Sequence, residues 1–170
     1  YANSVAAISH AEKLVQEGAH IVDIGGESTR PGAKALNADE EWQRIGPVLR
    51  QVVKWDIPVS VDTYHPQTMQ KALDLGVDIV NDVWAFRQLG ALDAVASSRC
   101  GLCMMHMHGE PASMQLSPLS GDPLEQAGEF FKQRLQAAIV HIELIYAHPV
   151  HHTRSLCRCV LTKDGDVISH

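Results

Sequence analysis

Asp62, closing the run Val59-Ser60-Val61, and Asn81, closing Val77-Asp78-Ile79-Val80, are the residues of this chain best suited to recognising a flat, nitrogen-rich ring. An ionised carboxylate accepts from two adjacent N–H groups and an amide donates and accepts beside it, so the pair matches an aminopyrimidinone edge. A second candidate is the loop Asp23-Ile24-Gly25-Gly26-Glu27-Ser28-Thr29-Arg30-Pro31-Gly32-Ala33, where Arg30 offers a planar fork to an anion and Thr29 a hydroxyl. Asp23 can act as a general base or anchor that loop. Each residue also has an everyday use: Asp and Asn at strand ends satisfy turns and cap helices, and a loop Arg is often simply solvated. Spacing alone leaves both uses open.

Cys100-Gly101-Leu102-Cys103 with His106 and His108, and the distant Cys157 and Cys159, supply zinc-ligand types. Alternation in a buried strand points Cys103 away from Cys100, and the second pair has too short a spacer, so no zinc site is assigned. Met105, in the Met104-Met105-His106-Met107 cluster, is strand core that can also pack on a flat ring.

These groups need elements to place them. Val5, Ile8, Ala11, Leu14 and Val15 trace a helical face over residues 4 to 17, with Asn3 or Ser4 as N-cap and Gly18 as its stop. The apolar run Ala19 to Val22 reads as a strand ending on Asp23. Asn37 with Glu40 opens a second helix through Trp42, Ile45, Leu49 and Val52, which Pro47 should break or kink near Gly46. Val59 to Asp62, Val77 to Asp82 and Gly101 to Met105 read as strands; helices follow from Pro66 to Gly76, over residues 87 to 99 and from Asp122 to Tyr146. Helix and strand thus alternate, and each strand ends on a polar group. A parallel α/β sheet follows, either a βα barrel or a doubly wound sheet, since both gather ligands at strand C-termini.

Past residue 147 the character changes, with His148, His151, His152, Cys157, Arg158 and Cys159 close together. Residues 1 to 146 are read as one domain and 147 to 170 as an atypical tail, with a small hairpin around Asp164-Gly165 and no further strand–helix unit. The chain has 170 residues, 45% of them hydrophobic, which suits one globular domain. A net charge of -6 offers no basic face for nucleic acid. No apolar run approaches the roughly 20 residues that span a bilayer, and no leader pattern stands at Tyr1, so a cytoplasmic location without membrane contact is expected.

With these residues in hand, Asp23 to Ala33 resembles the signature loop of the dihydropteroate synthases. Ser60-Val61-Asp62-Thr63-Tyr64, Ile79-Val80-Asn81-Asp82 and the stretch Met104 to Gln115 follow in that family's order. The resemblance covers about residues 1 to 140. It implies a TIM-type (β/α)8 barrel that condenses 6-hydroxymethyl-7,8-dihydropterin diphosphate with p-aminobenzoate, giving 7,8-dihydropteroate and diphosphate in folate synthesis, and that is the target of sulfonamides. Carried over by position, Asp62 and Asn81 hold the pterin and Met105 packs near it. Thr29, Arg30 and Pro31 lie in the p-aminobenzoate and diphosphate loop, with Arg30 and Asp62 in catalytic roles. Mg²⁺ on the diphosphate is implied, though the family's Asn ligand would precede Tyr1, so no metal residue is assigned. The full-length family member is expected to be a homodimer.

The resemblance also implies what departs from it. Position 108 is His where the family often has Gln. The family's first strand would lie before Tyr1, and its Asp-Pro-Gly-Phe-Gly strand does not follow Ile139, leaving an incomplete barrel of about four strands. A non-catalytic pterin-binding fragment and a pterin-dependent methyltransferase are the alternatives, the second opposed by the Ser28 to Gly32 loop. A reading-frame shift or a cloning junction would account for the tail. Source DNA carrying Asp-Pro-Gly-Phe-Gly codons in another frame beyond residue 139 would meet that expectation; their absence would defeat it.

Overall fold

The computed structural model describes residues 3–27, 35–106, 122–146, 159–163 and 166–167. The elements run α1 (Ser4–Gln16), β1 (Val22–Gly25), α2 (Ala38–Val52), β2 (Val59–Asp62), α3 (Pro66–Leu75), β3 (Ile79–Asp82), α4 (Ala91–Ala96), β4 (Gly101–Met104), α5 (Pro123–Tyr146), β5 (Cys159–Lys163) and β6 (Asp166–Val167).

Local chemistry sets most boundaries. Asn3 caps α1, its Oδ1 accepting the Val5 N–H at 2.9 Å. At α2, Asn37 accepts from the Asp39 and Glu40 N–H groups while Glu40 accepts the Asn37 N–H, a reciprocal box that satisfies otherwise orphaned donors. Pro66 starts α3 where no helical N–H is used, and Gly76 ends it at φ +93°, a conformation costly for any residue with a Cβ.

Strands β1 to β4 are parallel, each beside the strand that follows it in the chain. Each helix likewise packs on the next, from α1 on α2 to α4 on α5. A doubly wound sheet reverses strand order at a switch point, whereas a βα barrel never does. The unbroken order therefore selects the barrel arrangement, here as a partial barrel.

Alternation gives the sheet two unlike faces. Val22, Val59, Val61, Val80, Leu102 and Met104 join Ile45, Leu49, Val52, Met69, Ala72 and Val95 in one buried cluster between sheet and helices. Each large apolar side chain buried there contributes about 1.5–3 kcal/mol. The residues between them, including Asp23, Ser60, Asp62, Asn81 and Cys103, take the opposite face.

Five expectations need correction. β1 begins at Val22, not Ala19, because pairing with β2 starts at Val22–Val59; Asp23 thus lies inside the strand. Pro47 does not break α2, which runs unbroken through Val52 because Ile45, Val48, Leu49 and Val52 bury their side chains on both sides of it. Val5 and Leu14 are 70% and 39% exposed, and of the α1 face only Ala11 is buried; Leu14 borders a cavity of about 490 Å³ beside β1. Residues 87 to 99 hold only the short α4, because a tight turn after β3 takes the chain as far as Arg87. Beyond α5, β5 pairs in parallel with β4, so a further strand does follow a helix, while the hairpin is present as antiparallel β5–β6.

The end of β1 presses closely on α2. A Cβ at Gly26 would lie 2.9 Å from Glu41 Cγ and 3.0 Å from Ile45 Cγ2, and both neighbours are buried. Gly26→Ala is expected to destabilise the chain by about 1–3 kcal/mol through overpacking, measured by urea unfolding; unchanged stability would show that α2 can move away.

Candidate functional site

The parallel register sets Gly25, Asp62, Asn81 and Cys103 level across β1 to β4. Adjacent residues in register project to the same face, so Asp62 and Asn81 stand side by side at the C-terminal rim, both half-buried. Asn81 Nδ2 donates to Oδ2 of the exposed Asp23 at 3.3 Å, which orients the amide and identifies Asp23 as its partner on this face. Gly25 leaves the carboxylate its room, since a Cβ there would lie 3.3 Å from Asp62 Oδ2. Met105 follows β4 directly, its N–H donating to the Asp82 carbonyl at 3.4 Å, and by alternation it shares the face of Cys103.

Carboxylates crowd this rim. Burial, reinforced by Asp23 and then Glu41, Asp82 and Glu27, pushes the Asp62 carboxyl up from 3.8 to about 7. Glu41, 1% exposed, accepts the Thr63 hydroxyl at 2.7 Å. Glu27 accepts the Tyr64 hydroxyl at 3.1 Å and the Leu36 N–H at 2.8 Å, while a His65 ring nitrogen bonds the Leu36 carbonyl at 3.0 Å. Burial and Glu27 together push the Tyr64 phenol up to about 12, so it stays a donor at neutral pH. The two ends of the signature loop, at Glu27 and Leu36, are thereby joined to each other and to β2. Thr29, Arg30 and Pro31 lie outside the described residues.

The turn after β3 is strained. Ala85 and Phe86 adopt φ +53° and +57°, left-handed values that cost each of them about 1–2 kcal/mol. Asp82, wholly buried, accepts the Trp84 and Phe86 N–H groups at 2.7 Å each. Its carboxyl is raised to about 6 by burial, with those two bonds and then Arg87 and Arg134 pulling it back. Arg134 of α5 donates to the Ala85 and Phe86 carbonyls at 2.8 and 2.9 Å. Trp84, held in the turn, stacks on Tyr64 at 5.5 Å and 25°.

This face of the rim thus gathers Asp23, Asp62 and Asn81, with Met105 beside them. His106, weighed above as a zinc ligand type, lies edge-on to Phe130 at 5.0 Å, and Cys100 Sγ lies 3.0 Å from Ser98 Oγ. Among the described residues, no three His, Cys, Asp or Glu side chains are grouped to hold a metal, and no helix is long and apolar enough to cross a membrane. Sequence reading did not find Arg134 or the role of Tyr64. Tyr64 carried a signal in its place two residues past Asp62, where a strand-end turn must find partners. Arg134 carried none, since its partners lie 48 and 49 residues away.

The raised Asp62 value fixes the direction of a pH effect. Between 3.8 and about 7 the folded chain holds a proton there that the unfolded chain has released, so this contribution favours folding below about pH 4 and is lost as pH rises through 7. Asp62→Asn, neutral throughout, is expected to match the parent at pH 4 and exceed it by about 3–4 kcal/mol at pH 8, by urea unfolding. A gain independent of pH would contradict the assigned cause.

The family profile described as "Pterin binding enzyme" matches residues 1–143. The chain is 45% identical over 139 residues to dihydropteroate synthase of Neisseria meningitidis serogroup C, covering 81% of this chain and 49% of that protein. Among solved structures, Burkholderia cenocepacia dihydropteroate synthase complexed with 7,8-dihydropteroate superposes with a TM-score of 0.75 at 45% identity, covering 81% of this chain and 50% of that one. The Xanthomonas albilineans enzyme with 4-aminobenzoic acid gives a TM-score of 0.74 at 42% identity, over 81% and 49% of the two chains. The chain spans about half the length of these relatives. With most of its length inside that profile, and relatives this similar on the same fold, the chain belongs to the pterin binding enzyme family.

Proposed function

We propose that this chain carries the pterin-recognising part of a dihydropteroate synthase, the enzyme that joins 6-hydroxymethyl-7,8-dihydropterin diphosphate to p-aminobenzoate. The observation that carries the reading is the register pair Asp62–Asn81, half-buried at one rim and backed by Asp23. Asp62 in its ionised form accepts two N–H groups from the aminopyrimidinone edge; Asn81, aligned by Asp23, donates and accepts beside it. Met105 packs against the ring. Thr29, Arg30 and Pro31 take the arylamine and diphosphate side, where the Arg30 guanidinium offsets charge growing on the departing diphosphate. The likeness to structures holding 7,8-dihydropteroate and 4-aminobenzoic acid supports these assignments.

Mg²⁺ on the diphosphate is implied by the family alone; among the described residues no three His, Cys, Asp or Glu side chains are grouped to hold it. No step is therefore assigned to it. Residues 1 to 146 are taken as the pterin-binding domain and 147 to 170 as an atypical tail, whose β5 nevertheless pairs with β4. A homodimer and a cytoplasmic setting are proposed for the full-length protein on family grounds alone.

An unliganded carboxyl near pH 7 becomes fully ionised once two N–H donors sit on it, so pterin binding should release a proton. Affinity for a neutral pterin is expected to rise about tenfold per pH unit below 7 and to level off above it; calorimetry in buffers of different ionisation enthalpy reads the proton directly. Binding without proton release would remove Asp62 from the ring edge. Supplied with the pterin diphosphate, p-aminobenzoate and Mg²⁺, this chain is expected to bind pterin weakly and form no dihydropteroate. Robust turnover would show that the rest of the relatives' length is dispensable.

A further inference from the structure

We propose that Arg134 is a positioning residue for the Asp62–Asn81 pair, holding the turn after β3 in the form that keeps Trp84 stacked on Tyr64. The inference rests on the pterin-binding reading above and names a residue that acts on that site without touching it.

The turn runs against the backbone preference of its own residues. Ala85 and Phe86 are both buried and both left-handed, a conformation that residues with a Cβ rarely adopt even singly. Two charged side chains hold it from opposite sides. Asp82 satisfies the donors of Trp84 and Phe86, and Arg134 satisfies the acceptors of Ala85 and Phe86. Asp82 is the last residue of β3, so its share comes with the strand. Arg134 comes from a separate helix, so its share can be removed while the sheet stays intact.

The turn's output is directed at the rim. Its Trp84 ring meets Tyr64, two residues past Asp62, and the Tyr64 hydroxyl meets Glu27, two residues past Gly25. One line of contacts therefore crosses the ends of β3, β2 and β1 in turn, just beyond the level where Asp62 and Asn81 stand. Arg87 steadies the same ring, with its Nε donating to the Trp84 carbonyl at 2.9 Å and its guanidinium 5.7 Å from the Trp84 ring centre. If Arg134 were only a staple between α5 and the sheet, its loss would lower stability and leave ligand affinity alone. As a positioning residue it changes affinity through Trp84.

The experiment titrates pterin-6-carboxylate, by its fluorescence, into the chain and into Arg134→Ala, Arg134→Lys, Trp84→Ala and the Arg134→Ala/Trp84→Ala double variant, with far- and near-ultraviolet circular dichroism on each. Arg134→Ala is expected to bind about tenfold more weakly and to lose tryptophan near-ultraviolet signal with its far-ultraviolet spectrum unchanged. Arg134→Lys, able to keep one of the two carbonyl bonds, should fall between, and it carries the comparison if Arg134→Ala does not fold. The double variant should bind no more weakly than Trp84→Ala. Parental affinity in folded Arg134 variants, or full multiplication of the two losses in the double variant, overturns the proposal alone. A parent chain that binds no pterin overturns the underlying reading as well.

Discussion

The packing of one strand face against the helices is the constraint on which everything else depends. Parallel sheets are usually covered on both faces and built of continuous apolar runs. Here β1 to β4 bury Val22, Val59, Val61, Val80, Leu102 and Met104 against the helices, and alternation delivers Asp23, Ser60, Asp62, Asn81 and Cys103 to the other side. The apolar half holds the strands in register. That register then sets the spacing of the polar half, so packing on one face determines geometry on the other.

The polar face has an electrostatic cost. Asp62 lies among Asp23, Glu27, Glu41 and Asp82, and no described basic side chain forms an ion pair with it. Such an arrangement disfavours the ionised state until donors arrive from elsewhere. On the proposed reading, the N–H groups of a pterin edge are such donors, and the crowding of carboxylates around Asp62 favours a ligand with adjacent donors over one with acceptors. Gly25 and Gly26 serve the same end by different means: one makes space beside the Asp62 carboxylate, the other lets β1 press against α2.

Much of this was legible in the sequence because its causes are local. Asn37 with Glu40, Pro66 and Gly76 mark helix ends by backbone chemistry that involves only near neighbours. Asp62 and Asn81 could be placed at strand ends for the same reason. The choice between barrel and doubly wound sheet was not legible, since alternation is common to both and strand order is a long-range property. Pro47 misled because a local preference met a helix face already held by burial. The span from 87 to 99 misled because Asp82 and Arg134 stabilise a turn that neither Ala85 nor Phe86 would favour alone. A lone Arg on a long amphipathic helix gives no sign that its partners are backbone carbonyls far back along the chain.

The unbroken strand order also bears on how the rim is made. Gly25, Asp62 and Asn81 all lie between residues 22 and 82, and each strand's neighbour is the next one to leave the ribosome. Among β1 to β4 no strand skips its sequence neighbour, so assembly of these four can proceed from one end. On that account the pair Asp62–Asn81 can form early in synthesis, while the Arg134 hold on the β3 turn is added only after α5 emerges. The rim would then be built in two stages, register first and fine placement second.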